Sequence, residues 1–207
     1  MPENLHKLFV ISSPSGGGKT SLINKLFEDS RSANFEKSIS DTSRQKRQGD
    51  LEGKDYYFLS EKDFKDKIKK EEYVEYATVF GNFYGTSKEE IKTKYNNSNL
   101  ILELDWQGAY AVKELFDDAK LIFLVPPSLD DLKQRLIKRN LDSSEAIENR
   151  LSEAKKEISK SEMYDYLVLN DDFNKAFEDL SQILFEGISP IDFNSRVSKD
   201  LVKRLEE

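Results

Sequence analysis

The sequence predicts an α/β protein: a doubly wound, parallel five-stranded core carrying an inserted αβ subdomain and a charged helical segment. Three observations carry this expectation. Five short apolar blocks recur along the 207 residues, and helical patterns follow four of them. A glycine-rich turn, Ser13-Pro14-Ser15-Gly16-Gly17-Gly18-Lys19-Thr20, joins the first block to the first helical pattern. Two stretches, 41–97 and 135–164, break the alternation and are rich in charge.

The first block, residues 7–12 (KLFVIS), is short and apolar, as a strand buried on both faces must be. After the turn, Leu22, Ile23, Leu26 and Phe27 fall at helical spacing and predict a helix over 20–28. Residues 35–40 supply the second strand. Within 41–97, strand-like pieces at 56–59 and 73–80 and helical pieces at 61–69 and 88–94 read as the inserted subdomain. The third strand, 99–105 (NLILELD), precedes a helix over 107–116. The fourth, 120–125, precedes one over 129–139. The charged stretch 135–164 reads either as a solvated helix pair or as a mobile lid carrying Arg135, Arg139 and Arg150. The first two arginines share one helix face at i,i+4. The fifth strand, 166–170, leads into a helix over 173–185. In the tail, Ile191, Phe193, Val197, Leu201 and Leu205 predict a packing helix within 189–207.

Composition narrows the function classes. The formal charge of −7, from 32 basic and 39 acidic residues, opposes non-specific nucleic-acid binding. No apolar run approaches the ~20 residues needed to cross a bilayer, and residues 1–6 show no apolar leader core. The absence of cysteine excludes disulfides, thiolate catalysis and zinc–thiolate sites, and fits a reducing cytoplasm. His6 is the single histidine and lies in a polar stretch, so neither a histidine base nor a histidine metal cluster is available.

The chemistry concentrates where open α/β sheets place ligands, beyond the carboxyl ends of strands. The 13–20 turn offers backbone N–H groups and a helix N-terminus to a polyphosphate. Lys19 can reach β- and γ-phosphates, and the Thr20 hydroxyl can ligate Mg²⁺. These features predict a nucleoside-triphosphate site in a P-loop NTPase-type core, with Ser13 standing where the usual pattern has glycine. Arg44 and Arg47, three apart, suit bidentate phosphate binding or a solvated basic loop. Period-two alternation sets Glu75 on the face of Tyr73 and Ala77, an unusual place for a carboxylate without a ligand. Tyr56 and Tyr84 read as core or as hydroxyl donors. Glu103 and Asp105 end an apolar strand, where one can join a Mg²⁺ shell or accept from a nucleotide amino group; Asp105 can instead cap the following helix.

In this order, SSPSGGGKTSL (12–22), residues 42–49, GKDYYFL (53–59), residues 73–77, VFGNFYGT (79–86), LDWQG (104–108), VPPSLDDLKQR (125–135), residues 149–151 and VLNDD (168–172) resemble the guanylate kinase family, over about residues 7–185. The resemblance implies MgATP-dependent conversion of GMP to GDP. It implies a core at 1–41, 92–127 and 159–207, a GMP-binding subdomain at 42–91 and a lid at 128–158. Position by position, it implies that Arg44, Arg47, Tyr56 and Tyr84 hold the GMP phosphate. Ser40, Glu75, Thr86, Glu103 and Asp105 would read the guanine or its surroundings. Lys19, Arg44, Arg135, Arg139 and Arg150 would stabilise the transferring phosphoryl group, with Ser13 to Thr20 around the ATP phosphates and Asn170 near the adenine. Glu103 replaces a usual aspartate, Lys46 a usual proline, and Lys138 and Asn140 the usual glycines beside Arg139. A phosphopeptide-binding module of the same fold is the rival from another class, opposed by the intact Gly18-Lys19-Thr20. A kinase for a phosphorylated ribose is opposed by Glu75 and Ser40. The partners expected are GMP and ATP, without nucleic acid or membrane, and a homo-oligomer is compatible.

Overall fold

The computed structural model describes residues 6–47, 49–79, 81–138 and 144–206. β1 (Leu8–Ser12) is buried along its whole length and leads through the glycine-rich turn into α1 (Lys19–Glu28). A 3₁₀ turn, Ser30–Asn34, connects α1 to β2 (Phe35–Lys37). This strand stops three residues short of the expected 35–40, and the chain crosses to a second sheet.

That sheet comprises β3 (Asp41–Thr42), β4 (Tyr57–Phe58), β5 (Tyr73–Val79) and β6 (Asn82–Ser87), in the order β4-β3-β6-β5. β6 pairs antiparallel with both β3 and β5, so the GNFYGT stretch from Asn82 onward is a strand, which Gly85 and its polar residues concealed. α2 (Glu61–Lys69) follows β4, and Ser60 caps it by accepting from the Asp63 N–H at 3.1 Å. Its fully buried Phe64 stacks on Tyr73 at 4.5 Å and Phe83 at 5.3 Å. Burying one such ring contributes about 2–3 kcal/mol. Buried Asp41 accepts from the Tyr73 hydroxyl at 2.7 Å and from Lys67 at 2.5 Å, tying β3, α2 and β5 together.

α3 (Lys88–Tyr95) returns the chain to β7 (Asn99–Glu103), then α4 (Trp106–Leu115), β8 (Lys120–Val125), α5 (Leu129–Lys138), α6 (Ser144–Ile158), β9 (Tyr166–Leu169), α7 (Phe173–Ser181) and α8 (Lys199–Glu206). The core sheet is parallel, in the order β2-β7-β1-β8-β9, with Val10 beside Leu102 and Leu121. Alternation along β1 feeds two cores. Leu8 and Val10 pack with Leu102, Val112, Ile158 and Leu205, while Phe9 and Ile11 pack with Leu22, Leu26, Val168 and Leu180. Helices thus cover both faces, as a doubly wound sheet requires.

Two boundaries move for local reasons. The expected helix over 173–185 ends at Ser181 and passes into a π turn, Gln182–Glu186, closed by Gly187 at φ 69°. The expected strand end at Asp105 is a helix cap: its Oδ1 accepts from the Gly108 N–H at 2.9 Å. Among the described residues, no helix is long and apolar enough to cross a membrane.

Candidate functional site

The turn after β1 is held open by its glycines. Gly18 caps α1 at φ 88° without a side-chain cap, which leaves first-turn N–H groups directed outward. A Cβ on Gly17 would lie 2.9 Å from the Pro14 carbonyl and the Ser13 side chain; a Cβ on Gly18 would lie 2.6 Å from Asn170 Nδ2. Leu132 and Leu136 of α5 pack against Gly16, so the first helix of the charged segment lies on the loop. Such a cradle, too tight for any side chain, fits a polyphosphate approached by backbone amides.

Lys19, at the start of α1, donates to the Leu104 carbonyl at 3.1 Å. Burial lowers its pKa, and Glu103, Glu157 and Asp105 oppose that shift. Thr20 Oγ1 donates to Glu103 Oε1 at 2.6 Å, and Glu103 Oε2 accepts from Lys37 at 2.7 Å. Burial alone would raise the Glu103 carboxyl, but Lys37, Thr20 and Lys19 hold it below the ordinary range. A hydroxyl and a carboxylate side by side form a hard oxygen donor set suited to Mg²⁺. Glu103, expected to read the base, therefore spends its hydrogen bonds on Thr20 and Lys37.

Arg135 and Asn170 flank the loop. Asn170 Nδ2 donates to the Gly17 carbonyl at 2.6 Å, and Arg135 Nη2 donates to the Asn170 carbonyl at 3.0 Å. Asn170 is buried behind the glycine-rich loop, and its side-chain amide grips that loop. Arg139 lies outside the described residues. Arg150 is on α6, two turns before Glu157 and on the same helix face.

Across the cavity, Arg44 donates to Asp50 at 2.9 Å and lies 5.5 Å from the Tyr56 ring, itself 5.7 Å from the Tyr84 ring. Asp50 also accepts from the Arg47 N–H at 2.6 Å, so one carboxylate sets the turn bearing both arginines; the Arg47 side chain is exposed. Ser40, Thr86 and Glu75 form a chain: Ser40 Oγ is 3.5 Å from Thr86 Oγ1, which donates to Glu75 Oε1 at 2.6 Å. Burial and the nearby Asp105 raise the Glu75 carboxyl. A register shift between Tyr73 and Glu75 breaks the expected alternation: Tyr73 stacks on Phe64, whereas Glu75 reaches the space beside Gly108. The lysines that could have neutralised Glu75 are engaged elsewhere, Lys69 with Asp66 at 3.3 Å and Lys70 with Glu72 at 3.9 Å.

One cavity of about 410 Å³ joins the two sides, lined by Lys19, Thr20, Lys37 and Glu103 from the core and by Ser40 and Tyr56 from the second sheet. Sequence reasoning missed Lys37, Asp50 and Glu157. Lys37 ends the short strand β2, Phe-Glu-Lys, whose charged residues gave no distinctive signal. Asp50 and Glu157 carried none either, because each sits in a charge-rich stretch. Burial raises the Glu157 carboxyl to about 7 against the attraction of Lys19.

The family described as guanylate kinase matches this chain over residues 5–187. A guanylate kinase of Wolbachia sp. subsp. Brugia malayi (strain TRS) is 45% identical over 184 residues, covering 88% of this chain and 93% of its own. One of Hahella chejuensis is 47% identical over 178 residues, covering 86% and 85%. The crystal structure of guanylate kinase from Anaplasma phagocytophilum superposes with a TM-score of 0.68 at 34% identity, covering 89% of this chain and 87% of that one.

Proposed function

The chain belongs to the guanylate kinase family, and we propose that it transfers the γ-phosphoryl group of MgATP to GMP, releasing ADP and GDP. The observation that carries this reading is the shared cavity, which sets Lys19 and Thr20 opposite Ser40 and Tyr56. The phosphopeptide-module and phospho-ribose readings gain no support from these relatives.

In this reading the loop from Ser13 to Thr20 receives the ATP phosphates, with Asn170 fixing the loop through Gly17. Arg44, Arg47, Tyr56 and Tyr84 receive the GMP phosphate, and Ser40, Thr86 and Glu75 read the guanine. Asp105 adds negative potential beside Glu75. Residues 42–91 serve as the acceptor subdomain and 128–158 as the lid that brings in Arg135, Arg139 and Arg150. Thr20 would hold Mg²⁺ with Glu103 behind it, and the ion when bound neutralises charge on the phosphate oxygens. The GMP phosphate is already a competent nucleophile, so positioning and charge neutralisation suffice without a histidine base. Lys19 and the arginines stabilise charge on the transferring group, and lid closure excludes water that would divert the transfer into hydrolysis. We assign the activity to the cytoplasm on the same reading.

A coupled ADP-release assay with GMP, dGMP, AMP and UMP tests it. GMP and dGMP should be accepted, and AMP and UMP should be poor. Lys19→Met should keep the melting temperature and lose ~3–4 kcal/mol of transition-state stabilisation, a rate loss of a few hundredfold or more. Near wild-type turnover in that folded variant would overturn the assignment.

A further inference from the structure

The segment after residue 187 lies beyond the matched family region, yet it packs onto the site from behind. Tyr166 donates its hydroxyl to the Ile188 carbonyl at 2.7 Å, and Ser195 Oγ donates to the Leu167 carbonyl at 2.5 Å. Phe193 meets the Tyr166 ring edge-on at 5.6 Å. Leu205 of α8 is buried in the core cluster that includes Ile158 of α6. The segment is therefore fixed at both ends.

Between those anchors Arg196 projects a complete fork onto the end of β9. Its Nη2 donates to the Leu169 carbonyl at 2.8 Å and its Nη1 to Asp171 Oδ1 at 2.7 Å. Nε and Nη2 also reach Asp179 Oδ2 at 3.2 and 3.1 Å. Leu169 and Asp171 are the two chain neighbours of Asn170. Asn170 in turn donates its N–H to the Val125 carbonyl at 2.9 Å, grips the Gly17 carbonyl through Nδ2, and accepts from Arg135. A planar guanidinium that binds on both sides of one residue fixes the orientation of that peptide, which a point charge does not.

We propose that Arg196 is a positioning residue for the nucleoside-triphosphate site, acting through Leu169 and Asp171 on Asn170 and thereby on Gly17 and Arg135. This rests on the assignment of the 13–20 loop to the phosphate donor. The acceptor groups Arg44, Tyr56, Thr86 and Glu75 belong to the second sheet and its loops. The link therefore acts on one substrate and spares the other.

The test compares KM for ATP, KM for GMP and melting temperature across the wild type, Arg196→Ala, Arg196→Lys and Asp179→Asn. Arg196→Ala should raise KM for ATP about tenfold and leave KM for GMP within about twofold. Arg196→Lys, which keeps one donor at a time, should fall between. Asp179→Asn weakens the same ion-pair cluster without touching Leu169 or Asp171, so it should lower the melting temperature with KM for ATP within about twofold of wild type. Should Arg196→Ala fail to fold, the lysine variant carries the same comparison. The proposal is overturned if the Arg196 variants lose stability as Asp179→Asn does with KM for ATP unchanged, or if both KM values rise together. A wild type that transfers no phosphoryl group from ATP to GMP would defeat the functional reading instead.

Discussion

Gly18→Ala places a methyl group where the structure has no room, and its cost can be worked from two parts. Gly18 sits at φ 88°, and an alanine held there costs of order 1–3 kcal/mol. The new Cβ would also lie 2.6 Å from Asn170 Nδ2. That amide ends a side chain and can swing, but swinging breaks its 2.6 Å bond to the Gly17 carbonyl. A buried donor left without its acceptor costs about 1–3 kcal/mol more. Gly53→Ala is the control: it has φ +67°, and its Cβ would meet only Tyr57 Cε1 at an ordinary 3.5 Å. For a domain of this size each kcal/mol moves the melting temperature by ~2–4 °C. Gly18→Ala should therefore lose ~4–24 °C and Gly53→Ala clearly less. Differential scanning fluorimetry gives the stabilities, and the ADP-release assay should show KM for ATP rising only in Gly18→Ala. Equal melting temperatures for the two variants, with KM for ATP unchanged in both, would refute the claim that Asn170 holds the loop.

Glu75→Gln should reduce kcat/KM for GMP sharply and narrow the GMP-to-AMP ratio. A carboxylate accepts together from guanine N1–H and the 2-amino group, and sites built this way reject the analogue lacking those donors by ~10⁴-fold or more. An unchanged ratio on the purified variant would remove Glu75 from the base pocket. Glu157→Gln should alter the pH dependence of stability. The folded carboxyl titrates at about 7 against an ordinary 4.5, so the native state holds the proton more tightly and stability falls as pH rises between those values. Denaturant titrations at several pH values should show the glutamine variant gaining on wild type by up to about 3 kcal/mol from pH 4.5 to 8. Parallel curves would show that Glu157 is not held in a desolvated position.

The core was legible because its signals are local. The apolar blocks at 99–105 and 120–125 fill both faces of a buried strand, and that constraint is written residue by residue. The same logic failed at β6, where Gly85 packs against Phe64 and Tyr73 and polar residues face the site. A strand that borders the candidate site does not look like one that serves a core. The bulge in β5 was equally hidden, because alternation assumes an unbroken pairing partner. Within the candidate site, residue types at family positions pointed to Lys19, Thr20, Arg44 and Glu75. The engagement of Glu103 with Thr20 and Lys37, and of Asn170 with Gly17, depends on strands distant in the chain meeting at one edge. Asp105 shows the limit of type alone, since a strand-end carboxylate and a helix cap are written identically.

The position of β1 in the sheet has a consequence for synthesis. Both of its neighbours, β7 and β8, lie some ninety residues or more further along, while β1 itself is apolar and buried on both faces once folded. At ~5–20 residues per second, a ribosome leaves that strand without either partner for roughly 5–20 s. During this interval the nascent chain presents an unpaired apolar edge, the kind of segment that associates with others like it. Destabilising β7 or β8 should therefore cost soluble yield in the cell before it costs activity in the test tube, and co-expressed nascent-chain chaperones should recover it.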